Sequence, residues 1–291
     1  MQLGAVLPHN EIGTDPGAIT AYLRGLEDLG VTNLLVYDHV LGADPERPGG
    51  FKGAYDKDVA FHEPLTFFAF VAGVTTSLEM VSCVMILPQR QTVLVAKQAA
   101  EVDLLTEGRF RLGVGIGWNP VEYQALNMSF SDRGVRSEEQ IEVMRKLWTE
   151  RSVTFEGRHH LVEGAGIAPL PVQQPIPVWI GGQSPRAYER MGRLADGWFP
   201  QVAPGPKLDE ARGIVDQAAI DAGRDPSSLG MEGRVNWSDS GAETVGHHAA
   251  KWQASGATHI TLNTMGAGLA SVDDHIDALA ASAEVLGLSA P

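Results

Sequence analysis

Eight short apolar segments, separated by stretches with helical periodicity, constrain the fold of this chain more than any other feature of its sequence. The segments are 2–7, 33–37, 79–86, 110–114, 178–180, 197–199, 229–236 and 259–263. Several are nearly continuous runs of Val, Leu and Ile, which is typical of parallel strands buried on both faces. We therefore expect eight parallel strands.

The stretches between these segments carry the start and stop signals of helices. In the clearest one, 16–29, Asp15 is placed to cap the helix, Pro16 takes its first position and Gly30 follows its last turn. Similar patterns predict helices at 64–74, 93–105, 134–150, 185–194, 208–222, 242–255 and 272–286. Ser240 and Glu243 are spaced as a capping box for the helix at 242–255.

Alternation of eight strands with eight helices predicts a closed (β/α)8 TIM barrel that forms one domain over residues 1–291. An open doubly wound sheet would carry a glycine fingerprint after its first strand, where this chain has Pro8, His9 and Asn10. Two long excursions, 38–62 and 153–177, interrupt the pattern, and the second reads as a small hairpin. We expect both to be insertions in the βα loops, on the catalytic face.

Charge and cysteine content exclude several classes of protein. The chain has 22 Lys and Arg against 36 Asp and Glu, a formal net charge of −14, which argues against a nucleic-acid partner. One cysteine forms no internal disulfide or cysteine-rich metal site, so a reducing cytoplasm is expected. No signal peptide or membrane span is predicted. The histidine pairs at 159–160 and 247–248 lack ligand spacing, and we predict no metal.

Two strand ends carry candidate chemistry. The second strand ends in Asp38 and His39, an acid and a base where barrel enzymes keep them, although Asp38 could simply cap the loop and His39 could be structural. The fifth leads into Gly181, Gly182, Gln183 and Ser184, with Pro185 opening a helix. Free backbone N–H groups and the positive helix end would suit a phosphate there, with Arg186 assisting, unless this is an ordinary capped turn.

Taken together, these residues resemble the luciferase-like monooxygenase superfamily, and within it the coenzyme F420-dependent oxidoreductases. The resemblance covers nearly the whole chain and depends on the order of several modest motifs. They are Tyr37-Asp38-His39-Val40, Leu87-Pro88-Gln89-Arg90, the run from Glu107 to Trp118, Arg133-Gly134-Val135-Arg136, the run from Val178 to Ala187, and Ala195-Asp196-Gly197-Trp198.

The resemblance implies a deazaflavin or flavin ring over the mouth of the barrel. It assigns His39 to the substrate as proton donor or orienting group, and Asp38 to the edge of the ring. The other implied cofactor residues are Ser82, Cys83 and Val84 as a bulge under the ring, often built on a non-prolyl cis peptide, Ile116 and Gly117 along the tail, and Gly181, Gly182, Gln183 and Ser184 at the phosphate.

One position departs from a branch of the family. The F420-dependent glucose-6-phosphate dehydrogenases carry a glutamate after the glycine, where this chain has Trp118. That sugar phosphate is therefore not expected as substrate. With His9 and Trp198, the indole of Trp118 would suit a small and less polar substrate.

Three functions follow as alternatives. The first is an F420-dependent oxidoreductase that moves a hydride between the cofactor and a small organic substrate. The second is a two-component monooxygenase that uses reduced FMN, oxygen and a partner reductase. The third is a redox-silent flavin-binding or cofactor-free barrel. Homo-oligomers are expected in each case.

Overall fold

A computed structural model describes residues 2–237 and 241–287. Its strands are β1 (Gln2–Val6), β2 (Asn33–Val36), β3 (Glu79–Ser82), β4 (Met85–Ile86), β5 (Phe110–Gly115), β6 (Val153–Glu156), β7 (Leu161–Ala165), β8 (Val178–Gly182), β9 (Gly197–Pro200), β10 (Gly230–Asn236) and β11 (His259–Asn263). Its α-helices are α1 (Pro16–Asp28), α2 (Pro64–Val74), α3 (Thr92–Leu105), α4 (Pro120–Ala125), α5 (Arg133–Thr149), α6 (Pro185–Leu194), α7 (Pro206–Asp221), α8 (Gly241–Ala254) and α9 (Val272–Val285).

The strands close into a parallel barrel. Their order is β3, β2, β1, β11, β10, β9, β8, β5 and β4, and β3 also pairs with β5, which closes the ring. All of these pairings are parallel, as connections through outer helices require. The prediction of a (β/α)8 TIM barrel is confirmed.

The third predicted strand, 79–86, is interrupted in the structure. Met80 lies opposite Phe110 in β5, an offset of 110 − 80 = 30 residues, whereas Met85 lies opposite Val114, an offset of 114 − 85 = 29. One extra residue is therefore accommodated between β3 and β4, which is a β-bulge. The peptide bond between Cys83 and Val84, inside this bulge, is cis.

The helices follow the predicted pattern with shifts of one or two residues at their ends. Asp15 caps α1 by accepting a hydrogen bond from the Ala18 N–H at 2.8 Å. Ser240, half of the expected capping box, lies outside the described residues. Helix α4 was not anticipated, because its six residues are too few to show a helical period.

The core has an inner and an outer part. Inside the barrel, Val6, Leu35, Val81, Trp179 and Phe199 form a separate apolar cluster, one residue from each of five strands. The larger cluster fills the space between the outer faces of the strands and the helices. Alternate residues of each strand therefore serve different cores, as the two-residue period of a strand requires.

A charged layer lies below the inner cluster. The buried carboxylate of Glu232 in β10 accepts hydrogen bonds from Arg111 of β5 at 2.7 Å, from Asn33 of β2 at 3.1 Å, and from Thr261 of β11. The Arg111 guanidinium also lies 4.2 Å from the centre of the Trp179 ring. Four strands are thus joined through one carboxylate inside the barrel.

The two excursions lie at different kinds of connection. Residues 38–62 follow β2 and form a βα loop at the carboxyl ends of the strands, as expected. The hairpin of β6 and β7 instead follows α5 and precedes β8, so the expectation of a βα loop for 153–177 is corrected. It lies along the outside of the barrel, where His160 contacts Glu139 of α5 at 2.6 Å and Thr92 of α3 at 2.6 Å.

Replacing Arg111 with Met should destabilise the protein strongly. The substitution removes the partner of a buried carboxylate, and such an uncompensated charge costs about 3–5 kcal/mol. Urea unfolding of Arg111→Met should show this loss, and the double variant Arg111→Met/Glu232→Met should recover much of it. Lys57→Met, which breaks the exposed pair with Asp58, is the control and should unfold like the wild type. A single variant as stable as the wild type would contradict the role given to this pair.

Candidate active site

A cavity of about 380 Å³ opens at the carboxyl ends of the barrel strands. It is the mouth of the barrel, and the loops after β2, β5 and β8 form most of its wall. The lining residues are Tyr37, Asp38, His39, Tyr55, Cys83, Val84, Ile86, Gly115, Ile116, Gly117, Trp118, Gly181, Gly182, Gln183, Gln201 and Arg234. Active sites of this fold lie at this face, because the loops there can vary without disturbing the barrel.

A second cavity, of about 160 Å³, continues the mouth toward the amino end of α6. The two cavities share Gly115, Ile116, Gly181, Gly182 and Gln183, so they form one channel. Arg190, Ser137 and Ser184 line its far end. An elongated ligand can therefore lie with one end in the mouth and the other beside α6.

The bulge between β3 and β4 forms a shelf under the mouth. The side chain of Val84 occupies space left free by two glycines: a Cβ on Gly115 would lie 2.6 Å from Val84 Cγ2, and one on Gly181 would lie 2.8 Å from Val84 Cγ1. Glycine is therefore needed at both positions to leave room for the Val84 side chain. The shelf presents Cys83 and Val84 as a small apolar surface, and burial raises the pKa of the Cys83 thiol to about 12.

Asp38 fixes the end of this shelf. Its buried carboxylate accepts hydrogen bonds from the Ile86 backbone N–H at 2.9 Å and from Arg90 at 2.8 Å. Arg90 in turn donates to Glu63, the capping residue of α2, at 2.8 Å. Burial raises the pKa of Asp38, and the attraction of Arg90 opposes that rise. Both oxygens of Asp38 are engaged in holding the loop against β4.

His39 is held from behind by a buried carboxylate. Its Nδ1 donates to Glu122 Oε2 at 3.3 Å, and Glu122 Oε1 accepts the Val40 backbone N–H at 2.5 Å. Burial alone would raise the pKa of Glu122, but these hydrogen bonds outweigh it and the pKa lies below its usual range. An ionised Glu122 fixes the tautomer of His39 and leaves Nε2 free of hydrogen bonds within the described residues, at the mouth.

Aromatic rings surround His39 on the solvent side. Its ring centroid lies 4.8 Å from that of Phe61, 5.2 Å from Tyr55 and 5.8 Å from Trp118. Phe51 stacks on Trp118 with centroids 6.1 Å apart. All but Trp118 come from the loop 38–62, which therefore supplies most of the apolar wall beside the imidazole.

The channel end beside α6 has the features of an anion site. Ser184 caps α6 by accepting a hydrogen bond from the Ala187 N–H at 3.2 Å, and the backbone of Gly181 and Gly182 borders the channel. Arg190 lines the cavity while donating to Glu138 at 3.0 Å. Arg186, which we expected to assist phosphate binding, is exposed and does not line this cavity. The positive end of a helix and a nearby guanidinium both favour a phosphate.

The structure brings most of the predicted site residues together. Ten of them line the mouth: Asp38, His39, Cys83, Val84, Ile116, Gly117, Trp118, Gly181, Gly182 and Gln183. Ser184 lines the adjoining cavity.

Three predicted residues lie away from the channel. Ser82 is fully buried and joins β3 to β5, because its hydroxyl donates to the Gly113 carbonyl at 2.9 Å. His9 is buried beneath Phe61, with ring centroids 4.5 Å apart. Trp198 turns outward and packs on Tyr188 of α6, with centroids 6.2 Å apart, so the expectation that it faces the substrate is corrected.

Four charged residues of the site were not assigned to it by the sequence analysis: Glu122, Arg90, Arg190 and Arg234, of which Arg90 was named only within the motif Leu87-Pro88-Gln89-Arg90. Glu122 follows Asn119 and Pro120, a cap and a first helical residue, and this signal could have revealed α4. The other three are single arginines within regular elements or at their ends, and no local pattern marks them.

Two further observations concern the described residues only. In 2–237 and 241–287, no cluster of three or more His, Cys, Asp or Glu side chains is arranged to hold a metal ion. None of the helices in these two ranges is long and apolar enough to cross a membrane.

A closed (β/α)8 barrel with a channel that opens at the carboxyl ends of its strands and runs to the amino end of α6 has the site architecture of the TIM-barrel enzymes. The particular family follows from sequence comparison. Residues 1–286 match the family profile of luciferase-like monooxygenases, and the chain belongs to this family, whose members are oxidoreductases and monooxygenases.

Individual relatives carry different names. An uncharacterised protein of Mycobacterium tuberculosis (strain ATCC 25618 / H37Rv) is 35% identical over 164 residues, which are 56% of this chain and 56% of that protein. An FMNH2-dependent dimethylsulfone monooxygenase of Pseudomonas fluorescens is 30% identical over 141 residues, 47% of this chain and 38% of that protein. The match thus covers about half of the length of these curated relatives, 56% of the first and 38% of the second.

One solved structure shows the likeness of fold. An F420-dependent secondary alcohol dehydrogenase in complex with an F420–acetone adduct superposes with a TM-score of 0.78 over 98% of each chain, at 17% sequence identity. The family and its fold are thus shown, and they include enzymes named for F420 as well as for FMN.

Acidification should weaken the fold through His9. Burial, assisted by the neighbouring His62 and His39, lowers the pKa of His9 to about 4, against the backbone hydrogen bond to Leu7, which raises it. Between pH 6.5 and 4 the unfolded chain therefore binds a proton that the folded chain does not, so stability falls as the pH falls. From pH 6.5 to 5.5 the share of His9 is about 1 kcal/mol.

Urea unfolding at these two pH values measures the effect. His9→Phe and His9→Gln both remove the titrating group, and both should show a smaller loss than the wild type. Wild type and variants that lose the same stability would contradict the burial of a neutral imidazole at this position.

Proposed function

We propose that this chain is an F420-dependent oxidoreductase that moves a hydride between the deazaflavin and a small, mainly apolar organic substrate. The observation that carries the proposal is the pair of His39 and the buried Glu122 at the mouth. Hydride transfer to or from a carbon that bears oxygen requires a proton to be delivered to, or taken from, that oxygen. A histidine oriented by a carboxylate performs this step in either direction.

The residues present fit a tricyclic cofactor with a phosphorylated tail. Val84 and Cys83 form a flat apolar shelf because Gly115 and Gly181 carry no side chains to obstruct it. The channel from this shelf to α6 would hold the tail, with the phosphate near Ser184 and Arg190. When bound, the cofactor supplies the two-electron chemistry.

The residues of the protein would position the cofactor and the substrate, transfer the proton and exclude water. Asp38, engaged by Ile86 and Arg90, would position the shelf and would touch the ring only through its edge. His39 would hold the substrate oxygen through Nε2 and exchange its proton, while Glu122 stabilises the imidazolium form. The rings of Phe61, Tyr55 and Trp118 would exclude water from the reacting atoms.

A second candidate is an FMN-dependent monooxygenase supplied by a partner reductase. The observation in its favour is the relative named as an FMNH2-dependent dimethylsulfone monooxygenase. The shelf and the anion site would serve FMN equally, because both cofactors combine a tricyclic ring with a phosphate. The His39–Glu122 pair favours the first candidate, since hydride transfer to carbon needs a proton shuttle at the substrate oxygen.

The purified chain should bind F420 at least tenfold more tightly than FMN, a difference of about 1.4 kcal/mol. A competition titration followed by cofactor fluorescence measures this ratio. A tenfold preference for FMN would favour the FMN-dependent monooxygenase instead. If the chain binds neither cofactor, the redox-silent barrel is the function that agrees with the result.

Two arginine variants test, in the same titration, where the phosphorylated tail of the cofactor binds. Arg190→Gln should weaken the preferred cofactor about tenfold or more, because a charge-assisted hydrogen bond to phosphate is worth about 1.5–3 kcal/mol. Arg193→Gln is a matched control, since Arg193 donates to the same Glu138 at 2.9 Å without lining the channel. Equal affinities of the two variants would contradict the phosphate assignment.

Removal of the imidazole should separate binding from turnover. His39→Ala should keep the cofactor affinity of the wild type and lower kcat by about 10²- to 10⁴-fold, the usual worth of general acid–base assistance. Melting temperature, cofactor affinity and a substrate-dependent rate are measured on one preparation. A variant that melts earlier but keeps its rate while folded would make His39 structural.

A further inference from the structure

Arg234 is a charged residue of the mouth to which the proposed reaction gives no task. It lies on β10, one inward-facing position above Glu232, and its exposed side chain lines the cavity. Within the described residues its guanidinium contacts the Tyr37 hydroxyl at 3.3 Å and forms no ion pair. The guanidinium also borders the cavity of the mouth, where a ligand can meet it.

The described part of the cavity wall carries no carboxylate that is free to balance the charge of Arg234. The other charged side chain that lines the described cavity is Asp38, and Arg90 neutralises it at 2.8 Å. The chain as a whole carries a net charge of −14, so a positive mouth is an exception on this molecule. A cation in a low-dielectric cleft attracts anions selectively.

The position of Arg234 relative to the aromatic rings defines the shape of a ligand. Tyr55 lines the same cavity as Arg234, and its ring centroid is 5.2 Å from that of His39 and 4.9 Å from that of Phe61. A molecule that meets the guanidinium at one end thus lays its body against Tyr55, Phe61 and His39.

We propose that Arg234 recognises a carboxylate on the substrate, and that the substrate is a small organic acid with a flat apolar body. The guanidinium fork matches the two oxygens of a carboxylate, and the aromatic wall excludes a second charge. This assignment rests on the proposed function, because the body of the acid would lie where His39 reaches its oxygen-bearing carbon.

To test this recognition, the affinities of two probes of similar shape, benzoate and benzyl alcohol, are compared. They are measured by ligand-observed NMR titration of the chain loaded with whichever of F420 or FMN it binds. The wild type should bind benzoate at least tenfold more tightly than benzyl alcohol. Arg234→Gln should remove this preference, and Arg234→Lys should retain part of it. Arg212→Gln changes the net charge equally, lies on α7 outside the mouth and should behave as the wild type.

Each outcome decides the inference. Equal affinities of the wild type for the two probes, or a preference that survives Arg234→Gln, would overturn it. The cofactor affinity of Arg234→Gln is measured in the same samples, and a tenfold loss there would place the guanidinium on the cofactor and overturn it as well. If neither cofactor binds the wild type, the proposed function fails alone, because the same probe titration of the chain by itself still tests the residue.

Discussion

The buried carboxylate of Glu232 joins four strands of the barrel and fixes their register. It receives hydrogen bonds from three other strands in the interior, where water cannot replace them. A shift of one residue in any of these strands would turn its polar partner outward and leave the charge unsatisfied. The register fixed at this level carries upward along the same strands, so it also places Arg234 of β10 and Tyr37, which follows β2, at the mouth.

The architecture could be predicted from the sequence because its signals repeat. Eight apolar segments with interleaved helices admit few folds, and the caps at Asp15 and Ser184 were recognisable from short patterns. The bulge at Ser82 to Val84 was anticipated only through family resemblance. Nothing local in that segment distinguishes it from a regular buried strand.

The partner of His39 could not be predicted, because it is distant along the chain. Glu122 lies 83 residues from His39, and their hydrogen bond arises only when two βα loops meet at the top of the barrel. The expectation that Trp198 faces the substrate was wrong for a different reason, which lies within its own strand. Its neighbour Phe199 belongs to the inner cluster, so the two-residue period of β9 had to turn Trp198 toward the helices. The hairpin was wrongly expected in a βα loop, although the predicted helix at 134–150 already precedes it and the next barrel strand follows it.

The loop 38–62 begins at the carboxylate and imidazole of the mouth and returns with Phe51, Tyr55 and Phe61 against them. The shelf comes instead from the bulge between β3 and β4, and the anion site comes from β8 and α6. On the proposed function, most of the apolar wall beside the reactant therefore comes from one segment of the chain and the phosphate site from another. A relative could alter the apolar part of this wall by exchanging residues 51–61 while it keeps Asp38 and His39 at the start of the loop, which is how one barrel can diversify without redesigning its chemistry.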